Sequence, residues 1–493
     1  MKNAINQFIN YGLNRGLINN QDVQKSKNCL IQALGESDFS FEIDSKVECF
    51  QEPLDLLMIE ASNKKKFHPD TTDERDAYEA LLFDCIMPTP QSTKEMFRHL
   101  FDIEPKLSTD YLYQLSKDVN YIKSDRLKQN IHWLYSGKYG TLQMTINLAK
   151  PEKDPKEIAL AKSRIIENLG NRPQCVLCKE NEHNYWNARM NLRIVPLVLG
   201  DETWHFQYSP YLYYNEHAII LHDEHRPMKL SRNTFTYLFD FIDLFPSYFI
   251  GSNADIPIVG GSILNHDHFQ AGKHHFPIEN AEVIESFDLM KDVSVSHINW
   301  PLSTIRFSSK YRNLLEDLCS HFLDEWKLYK NIDLDILPFT ECIPHNTITP
   351  ILRKRNGFYE MDLILRNNRT NEKYPDGIFH PHPDVQHIKK ENIGLIEAMG
   401  LAILPGRLKT EIQLSIDYLN HKGKLEATLE KHLPWLKELS THSTEFIDEH
   451  FFYQEIGKKF ERVIEDSGVF KLNKTGNAAM HQFIIQTIKK HNH

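Results

Sequence analysis

The chain contains two separate passages of short strand-forming runs, each followed by a His-x-His pair. The first, residues 191–222, holds LRIVPLVLG, WHFQYSPYLYY and HAIILH, and after a helical segment it continues into IPIVGGSILNHDHFQAG, which indicates strand, glycine turn and strand. The second, residues 346–386, runs through EMDLILRNN to FHPHPDVQ. Val, Ile, Tyr and Phe separated by turn residues are typical of strands. The repetition predicts a duplicated α+β unit rather than a solenoid, since two copies are too few for a stacked array.

Helical patterns flank these passages. Apolar residues recur at spacings of three and four in NAINQFINYGLNRGLI and ERDAYEALLFDCIMPTP, which predicts mainly helices over residues 1 to about 150. PEKDPKEIALAKSRIIENLG (151–170) is typical of a charged linker leading into a helix, and NIGLIEAMGLAIL of a further helix. We therefore expect four parts: a mainly helical N-terminal region (1–165), a first α+β unit (166–300), a second, degenerate unit (301–420) and a helical C-terminal region (421–493).

Composition excludes several classes of protein. A chain of 493 residues with a net charge of −10 lacks the basic excess of a general nucleic-acid or membrane-surface binder. The N-terminus shows no secretory signal, and charges interrupt every long apolar run, so we expect a cytoplasmic protein. Seven cysteines, an odd number spread over a long chain, argue against a disulfide framework.

Four histidines lie within GGSILNHDHFQAGKHHF, residues 260–276, just after a pair of glycines. Side chains at i, i+2 and i+4 of a strand share one face, so His266, His268 and Gln270 are expected to project together while Asp267 points away. Asp267 is then poorly placed to orient His268. A backbone carbonyl is the better partner for Nδ1, leaving Nε2 free to attack. The glycines permit close approach of a nucleotide phosphate, and Ser262 adds donors.

Cys175 and Cys178 form a CxxC motif in a turn-like stretch. The motif is compatible with a redox pair, with two buried thiols or with half of a zinc site, and the absence of a βαβ context disfavours the redox interpretation. Zinc requires two further ligands, for which His217, His222, His225 and His266 are the candidates.

The second His-x-His pair, His380 and His382, has no glycine pair before it, and Asp384 stands where the first copy has Gln270. Without a phosphate cradle it is interpreted as a substrate-side pair, a metal pair or a structural element. Arg366 and Arg369, near a strand end, are candidates for binding phosphate through bidentate contacts, although a charge run is more often a solvated face.

Together these motifs resemble the galactose-1-phosphate uridylyltransferases of the histidine-triad superfamily. LLFDCIMPTPQST, TINLAKPEKDPKEIALAK, CVLCKENEHN, GGSILNHDHFQAG and LRNNRTNEKYPDGIFHPHPDVQHIKKENIG are similar to the bacterial class II form, the UTP-hexose-1-phosphate uridylyltransferases, and the similarity runs nearly end to end. The resemblance implies an α+β fold with duplicated histidine-triad-like antiparallel sheet units and added N-terminal and C-terminal helical regions.

The resemblance also implies a nucleotidyltransferase of the Leloir pathway of galactose metabolism. It would convert UDP-glucose and galactose 1-phosphate into glucose 1-phosphate and UDP-galactose by a ping-pong mechanism. His268 matches the nucleophile that carries the uridylyl group, Gln270 matches a donor to a phosphoryl oxygen, and the carbonyl of His266 matches the group that holds Nδ1 of the nucleophile. Asn253 and Ser262 match positions that line the nucleotide and its phosphates.

A structural metal site and a homodimer are further implications of the resemblance. The matching zinc ligands are Cys175, Cys178, His225 and His266. His225 is preferred to His222 because DEHRPMKLS resembles the family's stretch around its third ligand. No organic cofactor beyond the UDP-sugar substrate is expected. One departure is Asp267, which stands where class I enzymes have proline, and the sequence leaves open whether zinc or iron is bound and how strictly galactose is preferred.

Three alternative functions remain open at this point. A histidine-triad nucleotide phosphorylase or hydrolase would use the same nucleophile with phosphate or water as acceptor. A zinc-stabilised binding module, for example for RNA, would use the histidines only as ligands, and the net acidity disfavours it. A redox protein would use Cys175 and Cys178.

Overall fold

A computed structural model describes residues 1–67, 72–148, 173–185, 188–261, 263–287, 290–442 and 446–492. In chain order the helices are α1 (Lys2–Asn14), α2 (Val23–Leu34), α3 (Gln51–Asn63), α4 (Thr72–Asp84), α5 (Pro90–Ile103), α6 (Pro105–Asp118), α7 (Ser124–Leu127), α8 (Arg232–Leu244), α9 (Arg312–Leu328), α10 (Leu395–Ala398), α11 (Leu408–Leu419), α12 (Leu433–His442), α13 (Glu449–Ser467) and α14 (Lys474–His491). The strands are β1 (Ile131–Gly137), β2 (Gly140–Ile146), β3 (Val195–Leu199), β4 (Glu202–Tyr208), β5 (Ala218–His222), β6 (Phe249–Gly251), β7 (His268–Gly272), β8 (Val283–Phe287), β9 (Ser294–Ile298), β10 (Thr304–Ser309), β11 (Phe339–Thr340), β12 (Ile343–Pro344), β13 (Asn346–Arg355), β14 (Phe358–Asn367) and β15 (Leu401–Leu404).

The described residues of these elements group into two compact units. The first unit comprises Met1–Asp125, Lys153–Leu212 and Ala218–Arg226, and the second comprises Arg126–Glu152, Tyr213–His217 and Pro227–His493.

The first unit combines the N-terminal helices with an antiparallel sheet of β3, β4 and β5. Thr89 caps α5 by accepting a hydrogen bond from the Ser92 amide, and the proline at the first helical position needs no donor there. Residues of β3 alternate between buried and exposed, as expected for a strand with one face on a core. The local sequence thus accounts for both kinds of element.

The second unit is built on seven antiparallel strands in the order β7-β6-β13-β14-β10-β9-β8. β13 and β14 are buried over most of their length, which is typical of central strands covered on both faces. A smaller sheet joins β1, β2 and β15, with β15 parallel to β2. Its apolar residues share one core with α10, α11 and α13, centred on side chains such as Trp300 and Phe460.

The strand order of the second unit reveals which segments correspond to one another. β6 and β13 pair at the centre, β7 flanks β6, and β14 flanks β13. β14 therefore stands in the second half where β7 stands in the first. The prediction that the second His-x-His ends a strand run is wrong, because His380 and His382 lie in a turn well beyond β14.

Pro350 explains why β6 is short. Proline has no N–H, so it donates nothing to a neighbouring strand. Its carbonyl accepts the last hydrogen bond, from the Ser252 amide, and β6 ends at Gly251. The predicted strand over IPIVGG is absent, since residues 252–261 form bends and irregular chain that return to the sheet at His268. The break releases a loop beside β7.

The predicted α+β class, with antiparallel sheets and helices at both ends of the chain, is confirmed. Three local predictions need correction. Residues 131–146 form the hairpin β1–β2 instead of helix, because Gly137 and Gly140 bracket a turn and the flanking runs alternate. LAIL forms β15 after the short α10. Cys29 and Cys85 form a disulfide with their Cα atoms 5.5 Å apart, where no bridge was expected.

The predicted helix within 151–170 lies outside the described residues. In the described part of the chain, no helix has both the length and the apolar character needed to cross a membrane.

Buried histidines make the stability of this fold depend on pH. Burial lowers the pKa of His297 to about 4, with Glu285 opposing the shift. At pH values below about 6.5, the ordinary pKa of histidine, His297 binds a proton in the unfolded chain but stays neutral in the folded chain. The contribution of His297 to stability is therefore fully present above about pH 6.5 and is lost as the pH falls towards 4.

We predict that His297→Phe flattens this dependence. Between pH 7 and pH 5 the variant should lose about 1–2 kcal/mol less of its unfolding free energy than the unaltered protein does. Denaturant titrations at both pH values measure the difference, with the exposed His275→Ala as control. If the unfolding free energy of His297→Phe falls between pH 7 and pH 5 as much as that of the unaltered protein, His297 is not responsible for the dependence.

Candidate functional site

His268 opens strand β7 and is 5% exposed. Its Nδ1 donates a hydrogen bond to the carbonyl oxygen of His266 at 2.8 Å, which is the contact expected from the sequence. Burial lowers the pKa of His268 to about 4, although the bond to His266 opposes the shift. Near neutral pH the ring is therefore uncharged, with its proton on Nδ1 and the lone pair on Nε2. This is the state in which imidazole is nucleophilic.

The register of the sheet shows which side chains share a face with this ring. Gln270 lies opposite Gly251, which lies opposite Ile351 on the next strand. Because side chains alternate along a strand, His268 and Gln270 point to the same face as Ile351, and the pairing of β13 with β14 puts Arg366 there as well. Three strand spacings and the offset along the strands place the Cα atoms of His268 and Arg366 about 16 Å apart.

The loop between β6 and β7 is held tightly by Asn253. Its Oδ1 accepts a hydrogen bond from the amide of Leu395 at 2.8 Å. A Cβ on Gly261 would come within 2.7 Å of Asn253 Nδ2, so only glycine fits at this position. Ile258 has a φ of 76°, a strained conformation for a β-branched residue. Ser262, the predicted phosphate-binding residue of this loop, lies outside the described residues.

Arg366 is an incompletely satisfied buried cation. The residue is 1% exposed, Nη2 donates to the carbonyl of Ile393 at 2.8 Å, and Nε and Nη1 have no partner among the described residues. Burial lowers the pKa of Arg366 to about 10, with Glu397 opposing the shift. Glu397 in turn is paired with Lys389 at 2.9 Å. A buried guanidinium in this state is best compensated by an anion from outside the chain.

The other predicted residues of the second half are already engaged within the protein. Arg369 donates to Asp335 Oδ1 at 3.1 Å. The ring of His382 stacks on Tyr374 with centroids 4.1 Å apart, and its nitrogens lie 3.1 Å from the carbonyl of Ile378 and 3.3 Å from Asp466. Both nitrogens of the His382 ring are thus engaged by contacts within the protein.

Three of the predicted metal ligands lie together in the first unit. The Sγ atoms of Cys175 and Cys178 are 3.6 Å apart, and Cys178 Sγ is 3.2 Å from His225 Nδ1. Backbone amides of Cys175 and Leu177 point at the sulfurs from 3.4 Å. Two thiols and an imidazole form a donor set that suits a structural zinc ion. His266, the fourth predicted ligand, belongs to the second unit and is 1% exposed.

The geometry favours His225 over His222 as the imidazole ligand. His222 Nδ1 accepts the Glu224 amide at 3.1 Å, and Nε2 lies 3.4 Å from Glu202. Sequence analysis missed Asn181, whose buried amide donates to the carbonyls of Cys175 and Cys178 at 2.8 and 2.9 Å and so fixes the turn. Its position three residues after the CxxC was the available signal.

Comparison with known proteins shows the family of this chain. Two family models match, described as galactose-1-phosphate uridyl transferase, N-terminal domain (residues 35–227) and C-terminal domain (residues 241–435). The galactose-1-phosphate uridylyltransferase of Clostridium acetobutylicum is 46% identical over 98% of this chain and 99% of its own length. That of Caldanaerobacter subterraneus is 46% identical over 97% of this chain and 96% of its own. The chain belongs to the galactose-1-phosphate uridylyltransferase family.

Membership in the galactose-1-phosphate uridylyltransferase family confirms that the chain is an enzyme and that its class is nucleotidyltransferase. Among solved structures, the yeast Ap4A phosphorylase Apa2 matches at 12% identity and a TM-score of 0.33, over 61% of this chain and 88% of that one. A TM-score this low carries no argument about fold or function.

A pair of arginine variants tests whether Arg366 binds an anion from outside the chain. We predict that Arg366→Met raises the unfolding free energy by about 1–3 kcal/mol in the absence of ligand, because an uncompensated charge leaves the interior. The matched change Arg353→Met should lower it by about 3–5 kcal/mol, since Asp362 and Glu360 each lose one of their buried partners.

Inorganic pyrophosphate provides the second half of this test. It should raise the Tm of the unaltered protein and leave that of Arg366→Met unmoved. Destabilisation by Arg366→Met, with pyrophosphate protecting both proteins equally, contradicts the assignment.

Proposed function

We propose that this enzyme converts UDP-glucose and galactose 1-phosphate into glucose 1-phosphate and UDP-galactose through a uridylyl group carried on His268. The observation that carries the proposal is the neutral, buried His268 ring held through Nδ1 by the His266 carbonyl, in a chain of this family. The relatives' names supply the substrate class.

In the first half-reaction, Nε2 of His268 attacks the α-phosphorus of UDP-glucose. A P–N bond forms, the P–O bond to glucose 1-phosphate breaks, and glucose 1-phosphate departs as an anion that needs no proton. In the second half-reaction, a phosphate oxygen of galactose 1-phosphate attacks the same phosphorus and the P–N bond breaks. The proton stays on Nδ1 throughout, so no general base is required.

Electrostatic stabilisation falls to groups on the same face of the sheet. Gln270 donates its amide N–H to a phosphoryl oxygen as negative charge develops there. Arg366, whose Nε and Nη1 have no partner among the described residues, is the proposed contact for the second phosphate-bearing part of the substrate. Asn253 is proposed to line the nucleotide, and Ser262, which lies outside the described residues, stays a predicted contact. Arg369 completes the predicted substrate residues, and its bond to Asp335 would have to yield when substrate binds.

The metal assignment is part of the same proposal. Cys175, Cys178, His225 and His266 are the proposed ligands of one structural zinc ion. A structural zinc ion contributes folding energy by holding its ligands together. Because His266 also supplies the carbonyl that orients His268, the metal would fix the backbone of the nucleophile. A cytoplasmic homodimer and the four-part domain division remain predictions.

Intact-mass spectrometry tests the covalent step. Mixed with UDP-glucose and no acceptor, the unaltered protein should gain one UMP and lose it when galactose 1-phosphate is added. His268→Gly should never gain it, because the nucleophile is gone. The exposed His275→Ala serves as control and should behave as the unaltered protein does. If phosphate or water removes UMP as fast as hexose 1-phosphate does, the phosphorylase or hydrolase alternative is correct.

Elemental analysis tests the metal site. The unaltered protein should hold about one zinc ion per chain, and Cys178→Ser and His225→Ala should lose it together with several degrees of Tm. Cys319→Ser, a change at a buried thiol outside the site, is the matched control and should retain the metal. Retention of zinc by His225→Ala with loss in His222→Ala would reassign the ligand.

A further inference from the structure

We propose that His217 is a positioning residue for Gln270. Its ring N–H donates to Gln270 Oε1 and thereby turns the amide N–H of Gln270 towards the transferred phosphoryl group. The inference rests on the proposed function, in which Gln270 donates to that group, and it adds a residue that sequence analysis considered only as a metal ligand.

The segment Tyr213–His217 is packed against the end of β7. The hydroxyl of Tyr214 donates to the carbonyl of Ala271 at 3.2 Å, and the amide of Lys273 donates to the carbonyl of Asn215 at 3.2 Å. A Cβ on Gly272 would lie 2.6 Å from the Tyr214 ring, so the close approach requires glycine. The segment that bears His217 is therefore fixed relative to the strand that bears Gln270.

His217 itself has little freedom. It is 2% exposed, and its ring lies 4.4 Å from that of Tyr214 and 5.5 Å from that of Tyr213, measured between centroids. The Gln270 side chain is within hydrogen-bonding reach of the ring. Among the described residues, neither ring nitrogen of His217 has a hydrogen-bond partner, nor does Gln270 Oε1, and all three atoms are buried. Buried polar atoms without partners are unfavourable, and a hydrogen bond between the two side chains would satisfy an atom on each.

The protonation state of His217 decides which end of the Gln270 amide faces the ring. Burial lowers the pKa of His217 to about 3, with Gln270 opposing the shift. A neutral imidazole carries one N–H and one acceptor nitrogen. When the N–H meets Oε1, the amide N–H₂ of Gln270 is directed away from His217 and is available to an anion. The opposite orientation would present Oε1 to the phosphoryl oxygens, where it repels them.

Single-turnover kinetics of UMP transfer from UDP-glucose to His268 test this role. We expect His217→Phe, which keeps the stacked ring and removes both nitrogens, to slow the transfer about tenfold while the half-saturating UDP-glucose concentration changes less than about twofold. His217→Asn and His217→Gln place an amide where Nδ1 or Nε2 stood. Recovery of the rate in one of them identifies the donating nitrogen.

A double-mutant cycle separates positioning from packing. In the Gln270→Ala background, His217→Phe should slow the transfer no further, because the group that it orients is gone. The control is His297→Phe, another buried histidine of the second unit, which should leave the rate unchanged in both backgrounds. An equal slowing by His217→Phe with and without Gln270, or no slowing at all, overturns the positioning role.

A second double-mutant cycle compares the Tm values of the same variants, and it tests the contact between His217 and Gln270 independently of catalysis. The summed losses of His217→Phe and Gln270→Ala should exceed the loss of the double variant, because the two side chains are partners. Strict additivity overturns the contact. If the unaltered protein forms no UMP adduct, the proposed function fails and the positioning role with it, whereas coupled Tm values would still establish the hydrogen bond.

Discussion

The central sheet depends on a buried cluster of ion pairs. Asp362 on β14 is fully buried between Arg306 on β10 and Arg353 on β13, with N–O distances of 2.7 Å to each. Burial alone would raise the pKa of Asp362, but the two guanidinium groups hold it at about 2. Glu360 pairs with Arg353 and with Arg355 as well. Removing one member leaves the remaining buried charges incompletely compensated. The cluster therefore fixes the register of three adjacent strands.

Strand β14 carries two buried charges, of which that of Asp362 is compensated by other described residues and that of Arg366 is not. Asp362 and Arg366 are four residues apart on β14 and point to the same face. Around Asp362 each guanidinium group has a carboxylate partner within the chain, whereas Glu397, the carboxylate that acts on Arg366, is already paired with Lys389. The face therefore carries excess positive charge at the end where Arg366 lies. A phosphate-bearing substrate is the natural complement of such a face.

The sequence was most informative where chemistry and spacing coincide. HDHFQ predicted the shared face of His268 and Gln270 and the carbonyl that holds Nδ1 of His268, because strand periodicity is local. His380 and His382 misled, because a repeated His-x-His was equated with a repeated strand, and the prolines at 381 and 383 prevent a ladder there. The β1–β2 hairpin was missed because its runs sit within otherwise helical sequence.

Other features of the site were out of reach of any local reading. Nothing in NEHAII marks His217 as the partner of Gln270, since the two are brought together by the packing of Tyr214 into the space left by Gly272. Nor does LILRNN show that Nε and Nη1 of Arg366 have no partner within the described part of the chain, while Arg353 pairs with two carboxylates. Which side chains pair with one another depends on the fold, because it depends on which strands become neighbours.

The site finally follows from a backbone constraint. Pro350 ends the pairing of β6 after Ser252, and the released loop carries Asn253 and the glycine pair before the chain rejoins the sheet at His268. A longer β6 would have placed an ordinary strand beside His268 in place of this loop. The Asn253 bond to Leu395 then anchors the loop to the segment that also binds Arg366 through Ile393. One proline thus links the strand order to the loop that precedes His268.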